Sequence, residues 1–245
     1  PGGGRAVISE RLQSACNNIC FINPSDAQVK RIFQTLVANK LNDFRMEDIK
    51  NLAEPLTVTT INLYGAIIDG FLPTPEKCHY LFNLRDIAKV FGGLYLANPK
   101  LYEEKEQILR LWYHECCRVF MDRLINMDDR DKFRQIIDTC MDSGLQVRLK
   151  EIAGDDFDMV FAGIDLSNPE AEDPPYEQMT DRKGLKAFME QKIEDFNVMY
   201  KKTPMALVMF KDAIELCCRI LRILRQPRGN ALLIGVGGSG RHCQT

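Results

Sequence analysis

"NALLIGVGGSGR", from Asn230 to Arg241, is the stretch whose reading decides the fold. Its apolar lead, Ala231 to Ile234, predicts a short buried strand. Gly235 to Gly240 then matches G-x-x-x-x-G, the opening of a phosphate-binding loop. Glycines there let successive backbone N–H groups turn inward around an anion. A basic residue should follow for the outer phosphates, then a hydroxyl for magnesium. Arg241 and His242 hold those places. Arginine grips phosphate as a planar fork, whereas histidine is a poor magnesium ligand, so the metal position reads as compromised. The same residues, "GVGGSG", also match the G-x-G-x-x-G of a dinucleotide-binding turn. That reading needs an acidic residue about 20 positions on, and five residues follow Gly240. A tight turn that binds nothing is the third reading. The motif alone leaves all three open.

The composition, 45% hydrophobic and 27% charged over 245 residues, is that of a soluble globular chain long enough for one or two domains. A formal net charge of -2 makes no electrostatic case for nucleic acid or an anionic membrane. No apolar run approaches the ~20 residues a bilayer span needs, and "PGGGRAVISERL" carries no signal-peptide core. The expectation is an intracellular soluble protein. The nine cysteines are odd in number and irregularly spaced, which predicts buried reduced thiols rather than a disulfide framework. "HECC", His114 to Cys117, hints at a metal, but on a helix those side chains fan around the circumference and no second cluster completes a shell.

Along the chain, "PGGGR" is a glycine turn and Ile19 to Ile22 reads as a short strand. "SDAQ" from Ser25 fits a capping box ahead of Val29, Ile32, Phe33, Leu36 and Val37 at helical spacing. A helix is expected over roughly 58–68, a break at "LPTPEK", and a helix capped by Asn83 that the pair Gly92-Gly93 ends or kinks. A longer helix follows over about 104–124, completing a helical unit over 25–145. Residues 151–181 hold ten acidic residues, no Lys or Arg, and three prolines. They read as a surface connection with a short strand at "MVFAG". Beyond Asp181 come an amphipathic helix, the apolar "PMALVMF", and a helix over 212–226 whose Arg219, Arg222 and Arg225 suit its C-terminal dipole.

"MALVMFKDAIELCCRI" running into "RILRQPRGNALLIGVGGSGR" resembles the start of the fourth AAA+ module of dynein heavy chains, particularly the axonemal kind. "PTPEKCHYLFNLRDIAKVFGGL" and "ILRLWYHECCRVFMDRL" resemble the helical small subdomain of the third module, and "PGGGR" the glycine turn late in that module's large subdomain. The resemblance covers nearly the whole chain and identifies it as an internal segment. It implies an α/β but mostly helical AAA+ P-loop NTPase fragment. Residues 1–24 would end the third large subdomain, 25–145 form the helical lid, 146–180 an acidic connection, and 181–245 open the fourth module.

The resemblance also implies site residues. Arg85, in "FNLRD", stands where the lid arginine reaches nucleotide; its plain reading is a surface arginine at a helix start. Val208 and Phe210 stand where the family lies against adenine; their plain reading is core packing. Gly235, Gly237, Gly238, Ser239, Gly240, Arg241 and His242 stand in the phosphate loop. "RHCQT" keeps only the basic residue of the family's continuation. Arg11 fits the first of two family arginines and Ser14 replaces the second. The implied cofactor is ATP or ADP, with magnesium in the intact protein. The implied partners are the neighbouring modules of the same heavy chain, microtubules and other dynein chains, in the axoneme of cilia and flagella, with no nucleic acid or membrane. No catalytic residue is expected in the segment, which should not turn over ATP alone. A helical interaction module with an incidental glycine turn remains the alternative.

Overall fold

The computed structural model describes residues 7–19, 21–22, 24–154, 157, 159–168, 171–201 and 204–235. In chain order these form α1 (Glu10–Ser14), α2 (Asp26–Leu41), α3 (Glu47–Lys50), α4 (Ala53–Gly70), α5 (Leu84–Leu94), α6 (Lys105–Val119), a 3-10 turn (Met121–Arg123), α7 (Met127–Leu145), α8 (Leu149–Ala153), β1 (Phe161–Ala162), β2 (Glu177–Gln178), α9 (Arg182–Met199) and α10 (Lys211–Arg225). The expected mostly helical character is what the chain adopts.

Helix starts follow local chemistry. The Ser25 N–H donates to Gln28 Oε1 at 2.9 Å, closing the capping box that opens α2. At α5, Asn83 Oδ1 accepts from the Arg85 N–H at 2.9 Å and Asp86 Oδ2 accepts from the Asn83 N–H at 3.0 Å. Asp181 Oδ1 caps α9 by accepting from the Lys183 and Gly184 N–H groups. The "LPTPEK" break holds, for residues 71–83 carry no helix. The glycine pair does not end α5, which runs on to Leu94. A Cβ on Gly93 would stand 1.8 Å from Glu115 Oε2. Gly93 is therefore what lets α5 close upon α6.

Two apolar cores result. The first joins α2 through α8, with α4 against α7 and α2, and α5 against α6. Trp112 is its largest buried side chain, and its Nε1–H donates to Thr60 Oγ1 at 2.9 Å. Thr60 in turn donates to the Leu56 carbonyl at 2.6 Å, so a polar pair sits in the core fully satisfied. The second core gathers Val160, Ala162, Ile164 and Met179 with Leu185 and Met189 of α9 and Ala213, Ile214 and Cys218 of α10.

Three expectations change. Ile19, Phe21 and Ile22 lie outside any described strand and are 76%, 90% and 89% exposed. Leu232 and Ile234, each 84% exposed, lie in no strand either. A strand is held by a neighbour's ladder and by burial of a face, and among the described residues neither segment has one. The acidic stretch is the reverse case. Its strand at "MVFAG" exists, with Phe161 opposite Gln178 and Ala162 opposite Glu177 in an antiparallel pair. Yet Met159, Val160, Phe161, Ala162, Tyr176 and Met179 are buried, so this part is core rather than solvated surface. The apolar residues lie between the acids, so the segment's average charge conceals them.

Seven described cysteines are free: Cys116, Cys117 and Cys218 buried, Cys140 and Cys217 half-buried, Cys16 and Cys78 exposed. Burial pushes the Cys117 and Cys218 thiols up to about 12, which keeps them protonated and unreactive.

Candidate functional site

Arg85 stands in the first turn of α5, at the rim of a groove whose walls come from three helices. Asp26 and Val29 of α2, Ile61 and Tyr64 of α4, and Phe82 and Ile87 around α5 line it. The Arg85 side chain is exposed and makes no ion pair with another described residue. A cation at a helix N-terminus is not there for the dipole, which favours anions at that end. The groove is of mixed polarity, with the Asp26 carboxylate in its lining and the Arg85 guanidinium at its rim. Its apolar side chains with that guanidinium suit a flat ligand that carries an anionic group.

The second candidate segment precedes α10. Val208 and Phe210 are 75% and 57% exposed, so their plain reading as core does not hold. Met209 between them is buried instead and anchors the segment to the second core. Phe210 lines a groove with Arg182 and Lys186 of α9 and Lys211, Ile214 and Glu215 of α10. Three cations and the Glu215 carboxylate surround Phe210, with Lys186 Nζ 3.7 Å from Glu190 and Lys211 Nζ 3.9 Å from Glu215. The sequence did not mark Arg182 or Lys186, because only the packing of α9 brings them to Phe210. Gly235 is described at the end of this segment. Gly237, Gly238, Ser239, Gly240, Arg241 and His242 lie outside the described residues. The Arg85 groove and the Phe210 groove share no lining residue. Ser14, in the place of the family's second arginine, donates to the Arg11 carbonyl at 2.9 Å, a local bond of α1.

The arginines of α10 do more than suit a dipole. Arg222, 7% exposed, donates from Nε to Glu115 Oε1 and Oε2 at 3.0 Å each, and from Nη2 to Oε2. Tyr176 completes the carboxylate, its hydroxyl donating to Oε1 at 2.9 Å. Burial alone would lower the Arg222 pKa, and the Glu115 carboxylate outweighs it and holds it raised. Arg219 faces Asp122 at 3.7 Å and Arg225 reaches Asp173 at 2.5 Å. Within "HECC", His114 Nδ1 lies 3.0 Å from the Met159 carbonyl, while Cys116 and Cys117 pack into the first core. No group of three or more metal-ligating side chains assembles among the described residues. No helix there is long and apolar enough to cross a membrane.

Two family models match this chain in order. "Dynein heavy chain, ATPase lid domain" matches residues 32–130, which carry the Arg85 groove. "P-loop containing dynein motor region D4" matches residues 205–245, from before Phe210 through the glycine loop. Among curated proteins, the chain is 44% identical over 241 residues to dynein axonemal heavy chain 2 of Homo sapiens, covering 98% of the chain and 5% of that protein. It is 41% identical over 256 residues to dynein axonemal heavy chain 1 of Homo sapiens, covering 100% and 6%. It is 39% identical over 241 residues to the dynein-1-beta heavy chain, flagellar inner arm I1 complex, of Chlamydomonas reinhardtii, covering 98% and 5%. The chain thus spans about one twentieth of the length of these relatives.

Proposed function

The chain belongs to the dynein heavy chain family, and from that premise we propose that it is a segment of an ATP-driven microtubule motor of cilia and flagella. It contributes the lid of one regulatory nucleotide site and the phosphate loop of the next. Residues 1–24 close the third large subdomain, 25–145 are its lid, 146–180 connect, and 181–245 open the fourth module. The observation that carries this reading is order: a lid region followed in one chain by a P-loop region.

The residues act through charge and shape. Arg85 presents its guanidinium to nucleotide phosphates while the half-buried Ile61, Tyr64 and Phe82 take the apolar part. Phe210 offers a flat face in a groove lined by Arg182, Lys186 and Lys211 ahead of the loop. Backbone N–H groups of Gly235, Gly237, Gly238, Ser239 and Gly240 cradle phosphate, and Arg241 neutralises it. His242 does not fit a magnesium site, so no step is assigned to the metal there. The partners that follow are the neighbouring modules of the same heavy chain and, through the whole protein, microtubules and other dynein chains.

Calorimetric titration of ATP, with and without magnesium, into a chain continued through the complete fourth module tests the phosphate loop. Micromolar binding that Arg241→Ala abolishes is the expected result. Absence of binding would leave the loop a structural turn and Arg85 as the contact with nucleotide.

A further inference from the structure

Between α6 and α10, under the segment Met159–Phe161, lies a cavity of about 10 Å³. That is room for about one water molecule. His114 and Arg118 of α6 and Glu215, Cys218, Arg219 and Arg222 of α10 line it. Four side-chain atoms of these residues are buried with no hydrogen-bond partner: His114 Nε2, Arg118 Nε, Glu215 Oε1 and Arg219 Nε. Buried polar atoms are rarely left so, and four around one small space call for a common partner.

The chemistry of the four atoms identifies it. His114 Nδ1 lies 3.0 Å from the Met159 carbonyl oxygen, which can only accept, so Nδ1 carries the hydrogen and Nε2 of the neutral ring is an acceptor. The outer guanidinium nitrogens are already directed at carboxylates. Arg118 Nη2 lies 3.4 Å and Arg219 Nη1 3.7 Å from Asp122 Oδ1, and Arg219 Nη2 lies 3.7 Å from Glu215 Oε2. Their Nε–H groups remain as donors. Glu215 Oε1 is an acceptor, and Lys211 Nζ, at 3.9 Å, is beyond hydrogen-bond distance of it. The set is two donors and two acceptors. An anion would want donors alone and a cation acceptors alone. A water molecule offers two of each.

We propose that His114, Arg118, Glu215 and Arg219 bind one buried water molecule that bridges α6 and α10. The site takes a neutral ligand and excludes chloride or another small anion. The surrounding charges support this, with Arg118, Arg219 and Arg222 offset by Glu115, Asp122 and Glu215.

Crystals of the chain soaked in bromide test it directly. The expected result is one density peak without anomalous signal, within hydrogen-bond distance of at least three of the four atoms. A bromide peak at the site, a peak touching fewer than three of them, or no peak overturns the proposal. A solution measurement stands beside it. Long-range proton–nitrogen spectra should show His114 protonated on Nδ1 alone at neutral pH. A proton on Nε2 would make three donors and one acceptor, a set for an anion, and would also overturn the assignment.

Discussion

Arg222 of α10 and Glu115 of α6 form a buried ion pair across 107 positions of sequence, with Nε shared between both carboxylate oxygens at 3.0 Å. Glu115 is 0% exposed, and Tyr176 supplies its remaining donor. Such a pair gains little over an apolar packing of equal volume, but breaking it strands a charge in the core. Either Arg222→Met or Glu115→Leu alone should cost about 3–5 kcal/mol. The double variant should cost clearly less than the sum. Urea unfolding of the four proteins checks this, and additive losses would show that the two residues act independently.

Gly92 and Gly93 are adjacent and should respond oppositely to alanine. A Cβ on Gly93 meets the Glu115 carboxylate, which Arg222 and Tyr176 hold in place, whereas nothing lies within 4 Å of one on Gly92. Gly93→Ala should destabilise by about 1–3 kcal/mol. Gly92→Ala, in the interior of α5, should stabilise by about 0.5–1 kcal/mol. Thermal melts that rank the two the other way would refute the tight α5–α6 approach.

His114 makes stability depend on pH. Burial, then the charges of Arg118 and Arg222, lower its pKa well below the ordinary 6.5. The unfolded chain therefore binds a proton that the folded chain refuses. Stability is complete above about pH 6.5 and falls as pH drops toward the lowered native value, by at most about 1.4 kcal/mol per pH unit. Asp122, whose carboxyl burial raises above 3.8, acts with the opposite sign at lower pH. The midpoint of urea unfolding should fall between neutral pH and pH 5, and His114→Gln should flatten that slope. A wild-type slope unchanged by the substitution would remove His114 as its cause.

Thr60 and Trp112 predict a difference between similar substitutions. Thr60→Val leaves the indole N–H buried without its acceptor at 2.9 Å and should cost about 1–3 kcal/mol. Thr60→Ser keeps the oxygen and should lose less. Equal losses would mean that methyl packing, not the hydrogen bond, matters at this position.

Arg85 should behave as a binding residue rather than a structural one. Exposed and without an ion pair to a described residue, it should change stability by no more than about 0.5 kcal/mol when replaced by alanine. In the intact heavy chain, nucleotide affinity at the lid site should fall about tenfold to a hundredfold, the worth of hydrogen bonds to a charged group. Unchanged affinity would make the groove incidental.

Local chemistry made much of the chain legible. The Ser25–Gln28 box, the Asn83 cap, the proline break after α4 and the apolar spacing of α6 all sit where short-range rules place them, since each rests on neighbours within a few residues. Arg85 could be singled out by its motif, yet the groove beside it comes from helices that begin 59 and 32 positions earlier, at Asp26 and Ala53. The buried character of residues 159–164 was masked by the acids around them. Ala231–Ile234 has a strand's composition, but among the described residues it has no pairing neighbour.

Sequence alone determined the helical class, the helix starts, the family and the glycine-loop motif, because periodicity, caps and motif spacing are properties of short contiguous stretches. Tertiary structure decided that Glu115 meets Arg222, that Gly93 must lack a side chain, that Phe210 joins Arg182 and Lys186 in one groove, and that four residues of α6 and α10, each with a buried unpartnered polar atom, line one small cavity. Those relationships depend on where helices far apart in the chain pack, and burial then gives each polar contact an energetic weight that no local pattern records.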